Sequence, residues 1–390
     1  MPRVWHDMGR CWSDHNNDAQ HAYYGGRVQV FTELGVEIGP GRSMDANSMF
    51  PSVMLGGLYP DIDDVHRANG NERILMNLLE DPDRLIWAQL EMTSNAGINF
   101  LPMTNDEGRR VWDRPYFSGW LAEPEIKYAI QNGWQVDRVG KIHHAAPISP
   151  FDHFITRFYN LRNQYKRDND GRELMVKLLL NSLYGKLGQR PMTQRIDQDK
   201  RITKIMEDDN YEEKYELRFY DGTCDLPYLM PHNEGRTPRS QWFGFAAFIT
   251  SYARVELQKV IQLAGEHVLY CDTDSVHYHE AAHERMMSMV PLGDELGQWK
   301  LETPQAIPRC RYWEPKVYLH MDNDGNKILV KHKGVDTRDD FGNYLSTAGD
   351  LTKAQPSTGT YGYAHSFRLG VEPGRNRSTM KRSRRHYIDE

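Results

Sequence analysis

The segment YCDTDSV, Tyr270–Val276, constrains this chain more than any other. It sets two carboxylates two residues apart inside an otherwise apolar, β-prone run, and side chains alternate faces along an extended chain. In an extended or hairpin conformation Asp272 and Asp274 would point the same way, about 7 Å apart. Burying two like charges together is costly unless a cation compensates them. The segment therefore suits either a divalent-metal site or a solvent-facing Asp-Thr-Asp turn, and alone it leaves both open.

A third carboxylate, Asp45 in MDANSMFPSV (Met44–Val53), stands where a strand is expected to run into a turn at Pro51. Alone it reads as a cap or an Asx turn. Together with Asp272 and Asp274 it completes a hard-oxygen site for two Mg²⁺ ions, each taking one or two carboxylates plus substrate phosphates. In KLLLNSLYGK, Lys177, Asn181 and Tyr184 recur at spacings of four and three, hence on one helix face, while Leu179 and Leu183 share another. A lysine, an amide and a phenol in one stripe suit a triphosphate, a base or sugar edge, and a stacking surface. An amphipathic surface helix is the alternative. Arg162, on the preceding helix, is placed to face the same ligand.

The spacing predicts helices over Glu72–Leu79, Glu123–Asn132, Phe151–Lys166, Arg172–Tyr184 and Phe245–Leu263, with the Asn169-Asp170-Gly171 turn making a helical hairpin. Strands are expected in RVQVF after Gly25-Gly26, over Leu85–Met92, and as a pair across His267–His279. Arg201–Met206 and Lys214–Tyr220 flank an acidic segment and are expected to pair as a projecting β-hairpin. Strands interrupted by helical and hairpin excursions favour an α+β core over a doubly wound sheet.

With 390 residues there is room for two or three domains, or one with large insertions. Cys11, Cys224, Cys271 and Cys310 are too scattered for a CxxC zinc knuckle and suit a reducing cytosol. Neither a signal peptide nor a membrane-length apolar run is visible, so a cytoplasmic protein with no membrane partner is expected. The net charge of -6 argues weakly against a polyanionic partner, but charge is segregated. Arg375, Arg377, Lys381, Arg382, Arg384 and Arg385 crowd the tail without an acid, a strip fit either for phosphates or for solvent.

DANSMFPS resembles motif A of family B DNA polymerases, KLLLNSLYG resembles motif B, and YCDTDS resembles motif C, in the family's order. Tyr23-Tyr24-Gly25-Gly26 is similar to the Tyr-x-Gly-Gly single-strand-binding motif. Lys316-Val317-Tyr318 is similar to the Lys-x-Tyr primer-binding motif, and Lys331-His332-Lys333-Gly334-Val335 to the basic strand entering the thumb. Together they point to the protein-primed branch of terminal-protein bacteriophages, over roughly Tyr23–Val335.

The resemblance implies a right-hand fold of palm, fingers and thumb with two insertions. Residues 1–44 would form the N-terminal segment, 45–94 and 241–335 the palm, 146–189 the fingers and 336–390 the thumb with its basic tail. Residues 95–145 would be the terminal-protein-region insertion and 190–240 a β-hairpin insertion. Asp45 and Asp274 would ligate both metals, Mg²⁺ with Mn²⁺ as a substitute, with Asp272 in support. Arg162, Lys177, Asn181, Tyr184 and Phe50 would meet the dNTP. Tyr23, Gly25, Gly26, Ser48, Ser182, Gly185, Thr273, Lys316, Tyr318, Lys331 and Lys333 would meet template or primer DNA.

Phe50 stands where the family has a tyrosine sugar gate, so ribonucleotide exclusion by bulk is expected without hydroxyl contacts. The residues before Asp45 are too few for a nuclease domain of about 150 residues, so proofreading is expected from a separate exonuclease docking near residues 1–40, with Trp5 and Trp12 as anchors or packed onto the palm. The implied activity is DNA synthesis from a primer 3′-hydroxyl, a terminal-protein hydroxyl included. The alternatives are a primer-independent polymerase or primase, and an inactive DNA- or terminal-protein-binding module.

Overall fold

The protein is represented by a computed structural model that describes residues 14–95, 99–105, 110–189, 205–207, 215–219, 227–231 and 242–332. Cys11, Cys224, Trp5, Trp12, Lys333, the expected thumb and the basic tail lie outside the described residues.

Helix α1 (Asp14–Ala22) leads to strands β1 (Val28–Val30), β2 (Glu37–Ile38) and β3 (Gly41–Ala46), then to the short helix α2 (Met49–Met54). Strands β4 (Tyr59–Pro60) and β5 (His66–Ala68) precede α3 (Glu72–Glu80). β6 (Leu85–Ser94), β7 (Met103–Thr104), β8 (Arg110–Val111) and β9 (Tyr116–Ala122) lead into α4 (Glu123–Gln131), followed by β10 (Trp134–Ala145) and β11 (Pro147–Ile148). Next come α5 (Asp152–Arg167), α6 (Arg172–Leu187), β12 (Tyr215–Phe219), β13 (Pro227–Pro231) and α7 (Phe243–Ala264). β14 (Val268–Asp272), β15 (Ser275–His279), α8 (His283–Met289), β16 (Trp299–Leu301), β17 (Arg309–Glu314), β18 (Val317–Met321) and β19 (Lys327–His332) complete the series.

The fold is α+β and is organised by α7, whose FGFAAFITSYARVELQKVIQLA is apolar on nearly every side. Such a helix is stable only when surrounded, and α1, α2, α4, α6 and α8 all pack on it. Asn16 of α1 accepts the otherwise orphaned Phe243 N–H at 2.9 Å, securing its first turn. An antiparallel five-stranded sheet in the order β1-β14-β15-β3-β16 shares this core, through Met44, Ala46, Cys271 and Val276.

A second sheet, β5-β10-β6-β9, closes its own core with α3 and α4 around Leu75, Ile86, Leu90, Leu121 and Ile126. The boundary expected at 94/95 therefore falls inside one sheet, because β6 pairs with β9 and β10. A third sheet, β19-β18-β17-β2, meets the first through Leu269, Tyr270, Tyr312 and Tyr318.

Two local expectations are corrected. The residues around Pro51 form α2 rather than a turn. Proline is tolerated in a first turn because that N–H would have no intrahelical acceptor. Among the described residues β12 pairs with β13; of the expected partner strand, Ile205 and Met206 are helical, and 201–204 lie outside the described residues. The two prolines of PYLMP sit at the ends of β13, where a missing N–H costs the ladder least. The α5–α6 hairpin is as expected, with Asn169 at φ 51° in its turn and the Asp170 side chain accepting the Arg172 N–H at 2.9 Å.

Candidate active site

Strand register brings the carboxylates together. Val28, Asp272, Ser275, Asp45 and Lys300 are successive cross-strand partners across all five strands of the first sheet. Directly opposed residues share a face, so Asp272 and Asp45 look out on the same side, flanked by Lys300. Their neighbours Cys271, Val276 and Met44 are buried in the opposite face.

Asp274 reaches this face by a turn rather than by strand alternation, which corrects the extended reading of YCDTDSV. Thr273 has φ 62°, and the Asp274 N–H donates to the Asp272 carbonyl at 2.6 Å, closing a three-residue γ-turn. A β-branched residue at positive φ is held only by its surroundings. Here the Thr273 N–H donates to the Arg27 carbonyl at 2.7 Å, and the Asp274 carbonyl accepts the Ala46 N–H at 2.8 Å. The turn is thus pinned on one side by the Tyr23–Arg27 segment and on the other by the strand of Asp45.

The Tyr23–Gly26 segment is itself clamped from below. Arg254 of α7, 2 % exposed, donates to the Tyr24 and Gly25 carbonyls at 2.7 and 3.0 Å and forms a two-pronged pair with Glu125 of α4 at 2.7 and 2.5 Å. Tyr24 is buried, whereas Tyr23 packs at 5.9 Å from Phe243. A Cβ on Gly25 would meet open space, but one on Gly26 would meet Thr273.

Electrostatically the cluster is strained. The Asp45 carboxyl is pushed up to about 7, first by burial, then by Asp274 and Glu302, against relief from Lys300 and Lys177. Burial, Asp272 and Glu302 push Asp274 up to about 6, against relief from its own backbone amide and Lys316. Lys316 Nζ contacts both oxygens of Asp272 at 2.7 and 2.6 Å, and the Tyr270 hydroxyl donates to it at 3.3 Å.

On the fingers side, Phe50 of α2 stacks on Tyr184 of α6 with ring centroids 3.8 Å apart. Arg162 donates to Ser48 Oγ at 3.1 Å and to Glu173 at 2.7 Å. Lys177, Asn181, Ser182 and Gly185 are exposed along α6, and Ser182 Oγ donates to the Leu179 carbonyl at 3.2 Å. Burial of Val176 and Leu180 explains why this side of α6 is left for a ligand.

On the primer side two expectations change. Lys316 is ion-paired with Asp272, so its charge is already committed within the chain. Tyr318 is 8 % exposed, its ring packed among Tyr270, His277, Tyr312 and His320, because β18 joins the third sheet to the first. Lys331 is exposed on β19, opposite Tyr318.

Residues 13–284 match the family described as DNA polymerase type B, organellar and viral. The chain belongs to that family. This type B polymerase chain is 28% identical over 290 residues to the DNA-directed DNA polymerase of Enterobacteria phage PRD1, covering 72% of this chain and 46% of that protein. It is 24% identical over 346 residues to a probable DNA polymerase of Agaricus bitorquis, covering 80% and 41%. The chain spans about half the length of the curated relatives it matches. In fold it is similar to Phi29 DNA polymerase in an orthorhombic crystal form, with TM-score 0.61, 18% identity, and coverage of 83% of this chain and 56% of that one.

The donor set of this type B polymerase chain fits divalent cations. Among the described residues no group of three His, Cys, Asp or Glu side chains is set for ligation. Mg²⁺, however, asks for only one or two carboxylates and takes its other ligands from water and substrate oxygens. Asp45 and Asp274 supply that pair, and the burial that raises both is relieved by a cation.

Sequence reasoning missed several residues of this type B polymerase site. Lys300 and Glu302 of WKLE carry no local signal; only the pairing of β16 with β3 brings them beside Asp45. Arg254 and Glu125 read as ordinary helix residues, although an arginine in the middle of the apolar helix α7 was a visible cue. Among the described residues, no helix is long and apolar enough to cross a membrane.

Proposed function

We propose that this chain carries out template-directed DNA synthesis, joining deoxynucleoside triphosphates to a primer 3′-hydroxyl with divalent cations held by Asp45 and Asp274. The reading is carried by the half-buried Asp45–Asp274 pair, brought onto one face by the Thr273 turn and raised first by desolvation, then by neighbouring carboxylates. Family membership and the DNA polymerase names of its relatives support it. When bound, Mg²⁺ or Mn²⁺ would lower the pKa of the attacking hydroxyl and neutralise charge on the departing pyrophosphate.

The chain's own residues supply position. Arg162 and Lys177 hold the triphosphate, Asn181 and Tyr184 line the nascent pair, and the Phe50 ring walls off the space of a 2′-hydroxyl. Asp272 supports the pair by anchoring Lys316, whose ammonium exchanges between that carboxylate and the primer phosphate. Tyr23, Gly25, Gly26, Ser48, Ser182, Gly185 and Thr273 shape the strand path, and Lys331 and Lys333 grip phosphates without reading sequence. Tyr318 acts from its buried place by fixing the turn that carries Lys316. The five-stranded sheet is the palm and the α5–α6 hairpin the fingers. The second sheet and the β12–β13 hairpin are the insertions that would meet a terminal protein and DNA.

The test is extension of a primed template by the purified chain with Mg²⁺ and dNTPs. Asp45→Asn and Asp274→Asn should each lose extension by orders of magnitude while retaining DNA in a gel shift. Near-normal extension by either variant would remove the metal assignment. Parallel reactions with a DNA primer, a candidate terminal protein and no primer identify the hydroxyl that is used.

A further inference from the structure

Arg162 is already occupied by an anion from within the chain. Its Nε donates to Glu173 Oε1 at 2.7 Å, while Nη1 donates to Ser48 Oγ at 3.1 Å. Ser48 lies between Asp45 and Phe50, so Arg162 reaches the loop that carries both the metal carboxylate and the sugar-gate ring. Glu173 sits in the first turn of α6, where the helix N-terminus favours a carboxylate. The Arg162 hydrogen bond holds the Glu173 carboxyl below its usual range against desolvation, with smaller help from Lys177, one turn later on α6, and Lys166 of α5. One carboxylate is therefore paired with Arg162 and feels two lysines, and Arg162 and Lys177 are the cations that face a nucleotide in the function proposed above.

We propose that Glu173 is an internal counter-anion that occupies Arg162 between nucleotides and that an incoming triphosphate must displace, so that Glu173 sets the apparent affinity for substrate. The inference rests on the reading of Arg162 and Lys177 as nucleotide contacts. The exchange is cheap in one direction and selective in the other. The Arg162 and Glu173 side chains keep 18% and 25% of their exposure, so the pair is screened and worth little by itself. A triphosphate brings several negative charges to the same cations, whereas Glu173 brings one. An uncharged nucleoside has no phosphate to offer Arg162 and cannot displace the carboxylate.

The experiment compares the unsubstituted chain with Glu173→Gln, which keeps the shape and removes the charge. Binding of a non-hydrolysable dNTP analogue is followed by fluorescence, KM for dNTP is followed by primer extension, and both are repeated at low and high salt. Glu173→Gln should bind the analogue about two- to fivefold more tightly, with the gain appearing in KM and shrinking as salt rises. An uncharged nucleoside, which does not draw on Arg162, should gain little. Weaker binding would overturn the proposal and make Glu173 a positioning residue that aims Arg162; unchanged binding at low salt would overturn it as well. In the Arg162→Ala background Glu173→Gln should give no further gain, and a persistent gain would overturn the proposal. If Arg162→Ala leaves analogue binding intact, the reading of Arg162 fails and takes this inference with it. If the unsubstituted chain binds the analogue but extends no primer, the proposed function fails while the Glu173 comparison still reads out by fluorescence.

Discussion

Thr273 fills the space that any side chain on Gly26 would need: a Cβ there would lie 2.6 Å from both Thr273 Cγ2 and Oγ1. Neither partner has room to yield. Thr273 is held at φ 62° by its N–H to the Arg27 carbonyl, and Gly26 by the Arg254 clamp on the two residues before it. Gly26→Ala should therefore displace the Asp274 turn, reduce primer extension at least about tenfold and cost about 1–3 kcal/mol of stability. Gly25→Ala, facing open space, should stay near normal in stability. Thermal denaturation and extension assays on the two variants make the comparison, and equal behaviour would show that the close approach is not tight.

The carboxylate pair predicts a pH dependence with a definite sign. Asp45 and Asp274 have folded-state values of about 7 and about 6, above the ordinary 3.8, mainly through burial. Between about pH 4 and 7 the folded chain holds protons that the unfolded chain has released, so this pair's contribution to stability falls as pH rises. In chelator the melting temperature should drop across that window more for the unsubstituted chain than for Asp45→Asn. Mg²⁺ should raise it more at pH 8 than at pH 5, because ligation requires the ionised carboxylates. A melting profile parallel to that of Asp45→Asn, with and without Mg²⁺, would refute the assignment.

Phe50 is 8 % exposed and stacked on Tyr184, so a sugar gate at this position would act by ring volume alone. Phe50→Ala should lower the preference for dNTP over rNTP by on the order of 10–100-fold, the scale at which steric pockets discriminate. Phe50→Tyr should keep that preference. Single-turnover incorporation of matched dNTP and rNTP pairs measures it, and an unchanged ratio in Phe50→Ala would put the gate elsewhere.

Removing Arg254 should damage the centre from below. Arg254→Met would leave Glu125, 0 % exposed, without its cation and two carbonyls of the Tyr23–Gly26 segment without their donor. Breaking a buried pair in this way costs about 3–5 kcal/mol. Urea denaturation should show that loss, and it should shrink when Glu125→Gln is added, since the stranded charge is then gone. A loss below about 1 kcal/mol would mean that water takes over the role of Arg254.

Much of the site was legible in the chain itself. The apolar flanks of YCDTDSV marked a strand pair bearing acids, with a metal site and a solvent-facing turn both left open, and spacings of four and three put Lys177, Asn181 and Tyr184 on one helical face. The Asn169-Asp170-Gly171 turn signal was enough to define the α5–α6 hairpin, because those preferences are local and reside in a few adjacent residues. Other features belong to pairing between segments far apart in the chain. The register of β15 on β3 puts Ser275 opposite Asp45, and that of β16 on β3 brings in Lys300. The γ-turn at Thr273 exists because Arg27 and Ala46 hold it from two sides, and Pro227–Pro231 became a strand because β12 was there to pair with it. Periodicity tells which face a side chain takes. Which residues meet on that face, and at what cost in charge, is decided by hydrogen-bond register and burial, which only the folded chain possesses.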